Sequence, residues 1–137
     1  MSNGIFESTA IPVLQEAINF AQARHGVLVG NVANMDTPGY KVRDLSVETF
    51  QERLREAIQA RREGNEPISP GILTNGPGDP MQRVRDSMKT ILFHDDSDVG
   101  IEQQVLQISK NQFMHNMAIS IMSNQFQLLH TAISERV

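Results

Sequence analysis

The chain is predicted to be mainly α, with long N- and C-terminal heptad helices forming a coiled-coil-like pair, a short middle helix and an irregular Pro/Gly-rich middle segment. Three observations predict this. Apolar residues near both ends recur at alternating spacings of three and four, the period of a helix that buries one stripe along its length. Proline and glycine crowd into one stretch of the middle. The apolar residues, 39% of the chain with only 5% aromatic, gather at the two ends instead of spreading as a compact core would require.

The N-terminal stripe runs Ile11, Leu14, Ile18, Ala21, His25, Leu28, Val32 and Met35, interrupted only by the histidine. It meets the stretch GNVANMDTPGY, residues 30–40, which ends a helix. Gly30 and Asn31 weaken the helix, and Asn34 can either adopt the left-handed conformation or bond a terminal carbonyl. Pro38 then pushes Thr37 into an extended conformation. Pro38 and Gly39 suit the central positions of a type II turn, with Asp36 and Thr37 able to bond backbone amides just ahead of it. Tyr40 leaves the turn with a ring to bury and a hydroxyl to donate.

Residues 46–63 place Phe50, Leu54, Ala57 and Ile58 at helical spacing, the mark of a short amphipathic helix. Residues 64–80, GNEPISPGILTNGPGDP, read as a loop. Residues 81–94 fit no single element, and the apolar run at 90–93 suits a strand or a docking segment. Asp95, Asp96 and Asp98 precede the last helix, where acidic side chains favour the positive end of the helix dipole.

The C-terminal stripe is Ile101, Val105, Ile108, Gln112, His115, Ile119, Met122, Phe126, Leu129 and Ile133, with Gln112 and His115 as polar exceptions. A helix of about 34 residues would be roughly 50 Å long, more than a small globular domain accommodates. Phe113, Met117, Ile121 and Leu128 lie off this stripe, so the helix has apolar surface on more than one side and needs more than one partner. A copy of the chain meeting it head-to-tail would give a helical array. The organisation expected is one elongated unit of three stretches: 1–44 with the first helix and turn, a middle segment 45–97, and 98–137 with the last helix.

Other chemistry finds little support. A formal charge of -4, with Lys and Arg interleaved among Glu and Asp, argues against a nucleic-acid surface. The absence of cysteine excludes disulfides, thiolate metal sites and cysteine nucleophiles. No window is apolar enough to cross a membrane, and the N-terminal residues lack the pattern of a cleaved signal peptide. His94, Asp95, Asp96 and Asp98 have the residue types of an oxygen-rich metal site, but the third acidic ligand and distal Glu of a calcium loop are missing. His25 and His115 sit within the stripes, where a polar residue commonly fixes register, and no His-Glu-x-x-His pair exists. Gly71, Gly76 and Gly78 are not followed by Gly-Lys-Ser/Thr, and no Ser-His-Asp arrangement stands out. No catalytic residue, cofactor or metal ligand is therefore expected.

The motif VLVGNVANMDTPGYKVRD, residues 27–44, carries a resemblance. With its contiguous Asp36, Thr37, Pro38, Gly39, Tyr40 and Lys41 followed by Arg43 and Asp44, it resembles the signature closing the first helix of the bacterial flagellar axial proteins. Together with NQFMHNMAISIMSNQFQLLHTAI from Asn111, it looks most like the proximal rod proteins of the basal body. The resemblance covers both terminal segments and not the middle. It departs at Gly26 and Gly30, at Gly100 where a capping Asp or Ser is usual, and at His115 where tyrosine is frequent.

The resemblance implies a structural subunit and no enzyme. Such subunits are exported unfolded through the flagellar type III apparatus, and their terminal helices form the inner layer of a hollow rod that crosses the periplasm and transmits torque. The neighbours it implies are other rod subunits, further copies of the chain, and the rod adaptor at the membrane ring. Asn31, Asn34, Asp36 to Tyr40, Arg43 and Asp44 are expected to aim the chain leaving the turn toward a neighbouring subunit. A free-standing adaptor that binds a partner helix through its Met-rich stripe is the alternative.

Overall fold

A computed structural model of the chain describes residues 10–63, 80–87, 92–95 and 100–135. Helix α1 spans Ile11–Ala33 and helix α4 spans Ile101–Ser134. Between them lie strand β1 (Val42–Leu45), helix α2 (Val47–Glu63), helix α3 (Pro80–Ser87) and strand β2 (Leu92–Asp95). The mainly helical architecture is as the periodicity predicts. The undecided stretch before residue 95 contains a helix and a strand. The expected loop at 64–80 lies outside the described residues, except that Pro80 opens α3, where its fixed φ is pre-set for a helix.

At 1.5 Å per residue α1 is about 34 Å long and α4 about 51 Å. They pack side by side as an antiparallel hairpin, and this is the most extensive contact between elements. The register follows from three hydrogen bonds, from Asn31 to Gln104, Arg24 to Gln107 and Asn111 to the Ala21 carbonyl. Continuing that register places Ile11 level with the region of Met122, so the last turns of α4 project past the described start of α1.

On an adjacent face of α1 sits a small apolar core. Phe20 stacks on Phe50 with ring centroids 4.1 Å apart and an interplanar angle of 10°. Leu45, Ala57, Met81 and Val84 complete the buried cluster, with Val13, Val27, Leu54 and Ile58 packed against it. The apolar residues read from the sequence in 46–63 are thus those that pack α2 against α3 and, through Phe50, against α1. Ser46 caps α2, its hydroxyl accepting from the Thr49 amide at 3.2 Å. Buried Glu16 on α1 accepts from the Arg85 guanidinium on α3 at 2.7 Å.

β1 and β2 form an antiparallel pair in which Arg43 stands opposite His94. β1 was not foreseen: four residues with two charges show no alternation long enough to read as a strand. Of the acidic residues expected before the last helix, Asp96 and Asp98 lie outside the described residues. Gly100 occupies the cap position of α4 without a side-chain bond, and Glu102 lies in its first turn.

Candidate functional site

Two features of the hairpin stand out: the polar seam that closes it and the apolar surface it leaves open. Asn31 organises the first. Its side chain is 0% exposed, although asparagine is a weak helix former. Its Oδ1 accepts from the Tyr40 hydroxyl at 2.9 Å and from the Arg43 amide at 3.0 Å. Its Nδ2 donates to the Arg43 carbonyl and to Gln104 Oε1. All four hydrogen-bonding positions of the carboxamide are used, which is what allows it to be buried. Because it takes both backbone groups of Arg43, the side chain behaves as one residue of an extra strand along the edge of β1 that faces α1.

The turn delivers Tyr40 and Arg43 to that point. The Asn34 amide and its Nδ2 both donate to the Gly30 carbonyl, at 3.1 and 2.8 Å, so Asn34 bonds a terminal carbonyl. With φ at -108° it does not take the left-handed alternative, and Met35, last in the N-terminal stripe, falls beyond the helix. The Thr37 amide donates to the Asn34 carbonyl, and the Tyr40 amide donates to the Thr37 carbonyl at 3.1 Å. Gly39 has φ of 76°, which together with that bond gives the type II turn expected of Pro38 and Gly39. Side-chain bonds from Asp36 and Thr37 to the amides ahead are not found; both are exposed.

Arg24 forms the second tie. Its Nε and Nη2 donate to the two carboxylate oxygens of Asp44, each at 2.9 Å, and Nη2 also reaches Gln107 Oε1 at 3.0 Å. A planar guanidinium suits this bidentate task, and the pair is largely shielded, with 8% of the Arg24 side chain and 22% of the Asp44 side chain exposed. Asn31, Tyr40, Arg43 and Asp44 therefore fold back onto their own chain. Within the single chain, the Asn31 carboxamide, the Tyr40 hydroxyl, the Arg43 backbone and the Asp44 carboxylate are bonded among the turn, β1, α1 and α4. Asp36, Thr37, Pro38 and Gly39 stay at the surface of the turn.

The stripes also divide. On α1, Ile11, Leu14, Ile18, His25 and Val32 are half-buried and Leu28 is fully buried. On α4, Ile108, His115, Met122 and Leu129 are half-buried, whereas Ile101, Val105, Ile119, Phe126 and Ile133 are exposed. The buried line of α4 is instead Gln104, Asn111 and Ala118. At 3.6 residues per turn it lies roughly 80° round the helix from the line through Ile101, Val105, Ile119 and Phe126. Arg24, Gln104, Gln107 and Asn111 were missed in the sequence; the signal was polar residues seven apart, at 104 and 111, beside an apolar stripe.

The exposed surface of α4 has two apolar flanks. One carries Ile101, Val105, Ile119 and Phe126; the other carries Leu106, Phe113, Met117, Ile121 and Leu128, with Phe113 68% and Leu128 65% exposed. Residues 111–134 contain no Asp, Glu, Lys or Arg, and the only two such residues of α1, Glu16 and Arg24, are buried. Helix α2, by contrast, exposes Glu52, Arg53, Arg55, Glu56 and Arg62. Two exposed apolar flanks on one helix, without an Asp, Glu, Lys or Arg from 111 to 134, mark an interaction site. Among the described residues no helix is long and apolar enough to cross a membrane, and no group of three or more His, Asp or Glu gathers where it could hold a metal ion.

Comparison with known proteins agrees with the motif. No protein-family model matches the chain. It is 26% identical over 125 residues to the flagellar basal body rod protein FlgB of Escherichia coli K12, covering 86% of this chain and 88% of that protein. The FlgB of Borrelia hermsii is 25% identical over 136 residues, covering 94% of this chain and 98% of that protein. A 35-residue stretch is 54% identical to the FlgB of Aquifex aeolicus, covering 26% of this chain and 28% of that protein. In agreement with the turn geometry and the helical hairpin, the chain is similar over nearly its full length to flagellar basal body rod proteins of the FlgB type.

Proposed function

We propose that the chain is a structural subunit of the proximal rod, which assembles by helix packing into a hollow axial structure that transmits torque for motility. The observation that carries this reading is the exposed apolar surface of α4. A helix with two such flanks fits between neighbours on both sides, as a subunit of a helical array does. In this reading the protein acts through contacts and has no catalytic role. The apolar positions of α4 and the exposed turn at 36–39 meet other subunits, while Asn31, Tyr40, Arg43 and Asp44 serve assembly indirectly by fixing where the turn lies. The neighbours are further copies, other rod subunits and the rod adaptor at the membrane ring. The chain reaches them through the type III export apparatus, and the rod it joins crosses the periplasm.

The test is complementation. In a strain lacking its own copy, the wild-type chain should restore swimming and be found in purified basal bodies. Restored motility with the chain absent from those basal bodies would contradict the assignment.

A further inference from the structure

We infer that the polar ladder between α1 and α4 sets the rotation of α4 about its own axis, and so decides which of its faces is left for partners. The ladder consists of Asn31 to Gln104 at 3.2 Å, Arg24 to Gln107 at 3.0 Å and Asn111 to the Ala21 carbonyl at 2.7 Å. Arg24, Asn31, Gln104 and Asn111 are all buried. Hydrophobic burial alone would favour a different hairpin, in which α4 turns to lay Ile101, Val105, Ile119 and Phe126 against α1. The observed hairpin leaves those side chains exposed and buries amides in their place.

Buried amides tolerate one arrangement. Turning α4 would strip Asn31 and Asn111 of their partners inside the seam, so the rotated hairpin is penalised although it is the more apolar one. This is the use to which a buried polar residue is put when it fixes the register of a coiled coil at a cost in stability. Gln104 and Asn111 are accordingly positioning residues: they touch no partner themselves and keep the apolar flanks facing outward. The purpose assigned to those flanks rests on the rod reading. The rotation does not, and it can be measured in the isolated chain.

The chain has no cysteine, so introduced pairs report without background. Shifting the Ala21 to Asn111 contact by one heptad places Leu14 beside Ala118, which is buried, and leaves Ile119 turned away. The full-length chain carrying Leu14→Cys with Ala118→Cys should form a disulfide in dilute solution, and Leu14→Cys with Ile119→Cys should not. Adding Gln104→Leu and Asn111→Leu should reverse that preference, with a monomeric, helical chain now closing the second pair. Unchanged preference in that background would overturn the inference. Should the double leucine chain lose helicity or aggregate, Gln104→Ala with Asn111→Ala removes the ladder without adding apolar surface. That chain should close both pairs, and retention of the first pair alone would again overturn the inference. Absence of the wild-type chain from basal bodies would speak against the assembly reading and leave the ladder as described, because the pair preference is read in the isolated chain.

Discussion

Tyr40 donates its hydroxyl to Asn31 nine residues earlier, at 2.9 Å, drawing the end of the turn back onto the helix it leaves. The same carboxamide holds the Arg43 backbone and Gln104 on α4. One side chain thus joins the end of α1, the turn, the strand and the last helix, and the end of the hairpin is set by a residue that helix propensity alone would place elsewhere.

Asn31 and Tyr40 should therefore differ greatly in their cost of replacement. Tyr40→Phe removes one bond and leaves Oδ1 of Asn31 paired with the Arg43 amide, a loss of about 1 kcal/mol. Asn31→Leu strands the Tyr40 hydroxyl, both backbone groups of Arg43 and the Gln104 amide, and should cost about 3 kcal/mol or more. Urea unfolding of the monomer followed by circular dichroism compares them. Equal costs would mean that Asn31 does not centre the network.

Arg24→Met keeps much of the apolar stem but deprives Asp44 and Gln107 of their donor, and should destabilise the monomer by about 2–3 kcal/mol. Replacing Asp44 with Leu in the same chain removes the stranded carboxylate, so the double variant should be more stable than the two single costs added together. Additive losses in a double-mutant cycle would show that the bidentate pair carries no coupling.

Two glycines should respond in opposite directions. A Cβ at Gly26 meets nothing within 4 Å and the residue lies inside α1, so Gly26→Ala should stabilise the isolated chain by about 1 kcal/mol. Gly39 has equally open surroundings but φ of 76°, so Gly39→Ala should cost about 1 kcal/mol through conformation alone. Thermal midpoints of the two variants decide it; a shift of the same sign in both would refute the conformational account.

What could be read from the sequence follows from the range of each interaction. The two terminal helices, a helix end within residues 30–40 and the turn at Pro38 and Gly39 are local matters, set by spacing and by backbone preferences of individual residues. Phe50, Leu54, Ala57 and Ile58 announced α2 for the same reason. The buried line of α4 was not legible because the apolar stripe runs through Ile101, Val105, Ile119 and Phe126, whereas the hairpin is tied by hydrogen bonds between residues 73 to 90 positions apart. Strand β1 was invisible because its partners, β2 and the Asn31 carboxamide, are defined only once the chain has folded. The turn motif was legible as a motif, but its direction was not: Tyr40 could point inward or outward until the position of Asn31 was known.

The central claim is that the exposed apolar surface of α4 serves assembly and not the fold of the single chain. The most direct measurement is incorporation of Phe113→Asp and Leu128→Asp into purified basal bodies, beside circular dichroism and unfolding of the same monomers. Both side chains are more than half exposed, so a carboxylate there should leave monomer stability within about 0.5 kcal/mol of wild type. In an assembled interface the same charge would be buried without a partner, at a cost of several kcal/mol. The account predicts folded monomers that are missing from basal bodies and cells that do not swim. Normal incorporation and motility of both variants would contradict it.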